Sequence, residues 1–156
     1  LGRYADRIDN DSTVAIVDFT MPSWKRRLHL VDLKAAKTES FLVAHGRGSD
    51  PAHTGWLQAF SNAPGSNATS FGAYRTADFY DGKYGRSMRL VGLDAENSNA
   101  EARAIVIHPA WYVSDDMLRK YGKLGRSEGC FALSEAELAS VFERLGPGRL
   151  LYAGKF

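Results

Sequence analysis

The sequence predicts a mainly β, β-rich α+β fold in a single domain spanning 1–156, with two short helices late in the chain. Three observations carry this reading. The chain has 156 residues, enough for one core and too few for two ordinary domains. Short β-branched and aromatic segments recur between turn residues along most of its length. Helical spacing of apolar residues is confined to the stretch after Ser114. Hydrophobic residues make up 44% and charged residues 24%, a globular composition that argues against disorder, collagen or a coiled coil.

The expected strands are Thr13–Phe19, Arg27–Leu33, Ser40–Ala44, Gly72–Arg75, Ser87–Leu93, Ala104–His108 and a last one at Arg149–Ala153. Between them, Ser61–Ser70 is polar and turn-rich and reads as a loop. Ser114 with Asp115 and Asp116 starts a helix that runs to Tyr121 and stops at Gly122. Ser134 and Glu137 have capping-box spacing, and Leu138, Val141, Phe142 and Leu145 make one apolar stripe before Gly146-Pro147-Gly148.

The balance of charge is close to even, with a formal net charge of +2. It lacks the basic footprint of a nucleic-acid-binding domain, so no nucleic-acid partner is expected. No apolar run is long enough to span a bilayer. The chain opens Leu1-Gly2-Arg3, without an initiator Met or a leader, and is expected to be a processed piece from which a signal or anchor was removed.

Cys130 is the only cysteine, which excludes an internal disulfide and any zinc site built on several thiolates. It lies in Gly125-Arg126-Ser127-Glu128-Gly129-Cys130-Phe131. A glycine before a nucleophile allows a sharp turn with adjacent N–H groups free, as an oxyanion site needs. Position 136 is Ala where a phosphatase-type loop would carry Arg. His108 closes the apolar strand Ala104-Ile105-Val106-Ile107 ahead of Pro109, and a helix separates it from Cys130. A lone Cys with such a His is the pairing of a thiol acyl-transfer enzyme.

These residues resemble the bacterial L,D-transpeptidase catalytic domain. The resemblance rests on Ile107-His108 at a strand end, on Ser127-Glu128-Gly129-Cys130 as a Ser-x-Gly-Cys turn, and on Thr69-Ser70-Phe71-Gly72-Ala73-Tyr74 as a variant of an upstream Thr-Pro-x-Gly-x-aromatic strand. It implies a β-sandwich or barrel. It also implies a periplasmic or cell-envelope location, and peptidoglycan stem peptides as substrate. Carbapenems become candidate inhibitors, and no cofactor or metal is required. The implied roles are Cys130 as nucleophile and His108 as base, oriented by the Pro109 carbonyl, with the N–H groups of Gly129 and Cys130 holding the oxyanion. Water instead of an amine as acceptor would make the enzyme a carboxypeptidase. Ser127, Arg126, Tyr84 and Trp111 are the candidate substrate contacts; Trp111 and Tyr74 also read as core residues.

Two positions depart from the family pattern. Ala132 stands where many members have Arg, which leaves the substrate carboxylate to Arg126, Arg47 or Arg103. Glu128 takes the place of His or Asn between Ser and Gly, and is expected to point away or pair with Arg126. Two rival readings remain. His45, Asp50 and His53 could ligate zinc within one loop, making a zinc-dependent peptidoglycan peptidase or amidase. Alternatively the domain is a non-catalytic glycan- or peptide-binding module.

Overall fold

The computed structural model describes residues 2–156. Its strands are β1 (Thr13–Asp18), β2 (Leu28–Asp32), β3 (Lys37–Phe41), β4 (Val43–Ala44), β5 (Gly72–Gly82), β6 (Gly85–Gly92), β7 (Val106–Ala110), β8 (Phe131–Ser134) and β9 (Leu150–Gly154). They form one sheet in the order β3-β2-β1-β9-β5-β6-β7-β8-β4. The two ends of that order, β3 and β4, are separated in the chain only by Leu42. The sheet therefore curls back on itself into a nearly closed barrel, which leaves little free edge. No helix among the described residues is long and apolar enough to cross a membrane.

Alternation along the strands divides the interior. Val17, Phe19, Tyr74, Met88, Leu90, Ile107, Phe131, Leu133 and Leu151 meet in the main core. Ala132 and Ala110, on the opposite face of β8 and β7, pack with Leu42, Ala44, Val113 and Leu124 in a second cluster. Helix α1 (Asp115–Tyr121) starts at Ser114, whose hydroxyl accepts from the Met117 N–H, and ends at Gly122. Helix α2 (Leu138–Arg144) buries Val141 and seats Leu138 and Phe142 against the main core, as the apolar stripe requires.

Three boundaries differ from the sequence reading. The capping box does not form: Ser134 belongs to β8, and its hydroxyl accepts from Ala136 instead. Glu137 is then free to pair with Arg26. The strand expected at Ser40–Ala44 breaks at Leu42, where the sheet closes. The strand expected at Gly72–Arg75 continues to Gly82, so that β5 and β6 form a long hairpin whose tip is Lys83-Tyr84, with Gly82 paired to Gly85.

A buried polar chain ties the loop after β4 to the barrel. Arg27 is fully buried and donates through Nε and Nη2 to the Val43 carbonyl and through Nη1 to that of Met21. Its Nη2 also donates to His45 Nδ1 at 2.9 Å, and His45 Nε2–H donates to Asp50 at 3.0 Å. A guanidinium has no acceptor, so the His45 tautomer is forced. Burial and the Arg27 charge push the imidazole down to about 4, and it is neutral at pH 7. Burial alone would raise the Asp50 carboxyl. Bonds from the Thr54 and Gly55 N–H groups and from His45 outweigh it and hold the group below its ordinary value.

This arrangement makes the fold acid-sensitive. An unfolded histidine titrates near ~6.5. Below that pH the unfolded chain binds a proton that folded His45 refuses until about pH 4. Stability therefore falls as the pH drops from about 6.5 to 4, by on the order of 3 kcal/mol. His108, also held low by burial, adds to the same slope. Urea unfolding across this range should show the fall. A His45→Gln variant, though less stable at pH 7, should show a shallower one; an equal slope in both would assign the effect elsewhere.

Candidate active site

Strands β7 and β8 run parallel, with Ile107 opposite Phe131 and His108 opposite Ala132. Cys130 immediately precedes β8, one step before that register begins. His108 and Cys130 thereby line one open cleft of about 790 Å³, together with Arg47, Asn67, Tyr80, Lys83, Tyr84, Arg103, Val106, Tyr112, Arg126, Ser127 and Glu128. The strand does not end at His108 but runs on through Pro109 and Ala110, and the imidazole is 3% exposed.

The Cys130 turn is held by its own serine. Ser127 Oγ donates to the Cys130 carbonyl at 2.6 Å and accepts from the Gly129 N–H at 3.2 Å. Ser127 also exchanges backbone hydrogen bonds with His45 and Arg47. Its hydroxyl proton is committed to the turn, and Ser127 also lines the cleft. The Gly129 N–H is taken up by its bond to Ser127 Oγ in the resting turn. No side chain among the described residues takes up the Cys130 N–H. Gly129 has φ +113°, and a Cβ there would meet the Ala68 carbonyl oxygen at 2.7 Å, so the glycine is required. Gly46 is required for a different reason: a Cβ would lie 2.3 Å from the Asn67 carbonyl oxygen and 2.9 Å from Gly129 Cα.

The imidazole is oriented from two sides. Its Nδ1 lies 2.9 Å from the Pro109 carbonyl oxygen. A carbonyl only accepts, so Nδ1 carries the proton and Nε2 keeps its lone pair. Tyr84, at the hairpin tip, stacks on the ring at 4.4 Å between centroids and 22° between planes. Burial lowers the basicity of His108, the Pro109 bond opposes this, and the Lys83 charge adds to the lowering. The Cys130 thiol is pushed up by burial. The Val106 N–H and the charges of Arg103 and Lys83 act in the opposite direction, and Glu128 reinforces the rise. Sγ accepts from the Val106 N–H and donates to the Ala104 carbonyl, both at 3.4 Å. Thiol and imidazole are thus both neutral at rest, with the thiol proton directed at the Ala104 carbonyl.

Several candidate residues are placed differently from the sequence reading. Trp111 is 74% exposed, stands edge-on to Tyr112 and lies outside the cleft; Tyr112 is the aromatic that lines it. Arg126 does not pair with Glu128 but donates to the carbonyls of Asp50 and Pro51. Glu128 pairs with Arg47 across the cleft mouth. Ala132 is fully buried in the second apolar cluster. Arg103, which the sequence offered only as a carboxylate contact, clamps the 61–70 loop through Ser61, Ser66, Ala68 and Ser70.

The zinc reading is not supported. His45 and Asp50 do meet, but His45 Nδ1 accepts from Arg27, whose fixed positive charge would oppose a cation. His53 Nε2 bonds the Leu124 carbonyl instead. No group of three or more His, Cys, Asp or Glu able to hold a metal occurs among the described residues.

The Tyr84 stack generates a test. Tyr84→Phe keeps the ring and should retain turnover, whereas Tyr84→Ala frees the imidazole and should lower kcat roughly tenfold with a smaller change in KM. Equal losses in the two variants would assign the effect to the hydroxyl instead.

Sequence and structure comparisons agree with this fold. The chain is 10% identical to an L,D-transpeptidase from Mycobacterium smegmatis, with TM-score 0.54 over 92% of this chain and 58% of that one. L,D-transpeptidase 3 from Mycobacterium tuberculosis, solved with a faropenem-derived adduct, is 11% identical with TM-score 0.58, over 92% and 60%. The helical cell shape determining protein Pgp2 from Campylobacter jejuni is 11% identical with TM-score 0.56, over 99% and 55%. This chain therefore spans less than two thirds of each solved chain, and at these identities the likeness concerns the fold. No curated protein sequence matches. The sequence model of the L,D-transpeptidase catalytic domain matches residues 2–153, and the chain belongs to that family.

Proposed function

We propose that this chain is the catalytic domain of a cysteine-dependent L,D-transpeptidase of the cell envelope, acting on peptidoglycan stem peptides. The observation that carries the reading is the pairing, in one cleft, of the lone cysteine with an imidazole whose Nδ1–H is fixed on the Pro109 carbonyl and whose Nε2 is left basic.

His108 Nε2 takes the Cys130 proton as Sγ attacks a carbonyl of the donor stem. The Cys130 N–H is the donor available to the developing oxyanion. Collapse breaks the C–N bond; the amine of the terminal D-amino acid leaves with the proton from His108, and a thioester remains. The amine of a second stem then attacks the thioester, giving its proton to His108 while Sγ departs, and an amide cross-link forms. Water in place of that amine would yield a trimmed stem. The thiolate, not the thiol, is the nucleophile, so proton transfer to His108 accompanies the attack. Strained β-lactams of the carbapenem type would acylate the same sulfur.

The test is incubation with purified muropeptides and mass analysis of the products. Cross-linked dimers are expected from the native chain. Cys130→Ala should give none while unfolding at a similar temperature, and His108→Ala should lose roughly 10²–10⁴ in rate. Undiminished turnover in Cys130→Ala would refute the mechanism.

A further inference from the structure

Four cationic side chains line the cleft: Arg47, Lys83, Arg103 and Arg126. Three are engaged by the protein. Arg47 pairs with Glu128, the only acidic residue of the lining. Arg103 donates to four acceptors on the 61–70 loop. Arg126 donates to two carbonyls of the 50–51 segment. Lys83 alone has no hydrogen-bond acceptor and no carboxylate in ion-pair reach among the described residues. Its ammonium lies 5.0 Å from the centroid of the Tyr84 ring. Because that ring stacks on His108, the charge is fixed on the imidazole side of the cleft. It is also close enough to both His108 and Cys130 to act on each electrostatically.

We propose that Lys83 holds a carboxylate of the acyl donor beside the thiol and so selects donors that carry a negative charge near the scissile carbonyl. This rests on the acyl-transfer reading above. It places the anion contact on the β5–β6 hairpin, far in sequence from the cysteine turn, where Ala132 carries no charge to supply it. An ammonium is a compact charge with rotatable donors, so it recognises negative charge rather than the planar fork that an arginine would grip. Being exposed, it is worth a modest factor and weakens with salt.

Two measurements on Lys83→Met and Lys83→Arg test this. The first compares kcat/KM for a stem-peptide donor with its free carboxylate and for the same donor as the carboxamide. The preference for the carboxylate form should fall roughly three- to tenfold in Lys83→Met and be largely restored in Lys83→Arg. The second needs no turnover: the rate of Cys130 alkylation by iodoacetate, an anion, divided by that by neutral iodoacetamide. Any change in thiol ionisation affects both reagents and cancels in the ratio. That ratio should fall severalfold in Lys83→Met at low salt. If the native chain turns over no stem peptide yet the ratio falls, the anion subsite stands and the transpeptidase reading fails. If both preferences are unchanged in Lys83→Met, the subsite is refuted whatever the reaction.

Discussion

The parallel register of β7 and β8 places the two chemical groups. Pairing Ile107 with Phe131 sends both side chains into the main core, and the opposite parity sends His108 and Ala132 to the other face. A slip of one residue would drive the imidazole into that core and bring Ile107 out to the cleft. The apolar contacts of Ile107, Phe131 and Leu133 therefore fix the register and with it the approach of His108 to Cys130. The His108–Cys130 pair inherits its geometry from packing, and neither side chain is bonded to the other at rest.

Behind that pair, the loop at 45–50 is the second support. The His45 carbonyl accepts from the Ser127 N–H, and the Arg47 N–H donates to the Ser127 carbonyl, so the cysteine turn is anchored on this loop. The loop is anchored in turn by Arg27, His45 and Asp50, with the neutral imidazole relaying between guanidinium and carboxylate. Burying an arginine is costly unless its donors are satisfied. Here backbone carbonyls and His45 take them, and the Phe19 ring lies beneath the guanidinium at 4.8 Å. A half-satisfied version would be worse than an apolar core. Such a network contributes a single fixed position for the loop more than it contributes stability.

Local patterns made part of this legible. Strand positions, the stripe of α2 and the Ser-x-Gly-Cys turn all follow from neighbours within a few residues, and the structure places them close to where the sequence does. The Pro109 carbonyl came from the family resemblance, and the structure supplies the bond. What failed depends on partners distant in sequence. His45 and Asp50 have ligand-like spacing, and only Arg27, far upstream, turns them into a structural network. Lys83-Tyr84 reads as a polar turn; that its ring lies on His108 follows from the β6–β7 pairing that closes that side of the barrel. Trp111 and Tyr112 both follow the strand, and the turn after Ala110 decides which one faces the cleft.

The electrostatics of the cleft bear on how the thiol is used. Burial keeps the proton on Cys130 and off His108, so the resting pair is uncharged. Separating charge between them costs free energy in a low dielectric, and that cost falls when cations stand by the thiolate. Arg103 and Lys83 do so from opposite elements, one on the segment before β7 and one at the hairpin tip. Lys83, however, also opposes the imidazolium that forms on proton transfer. Its effect on the ion pair therefore partly cancels, whereas the Arg103 charge favours the thiolate. An anion bound at Lys83 would remove the opposition to the imidazolium as well as the help to the thiolate. The state of His108 would then depend on whether a charged donor is seated, while the cost of moving the proton within the pair would change little, because the two effects of Lys83 offset each other.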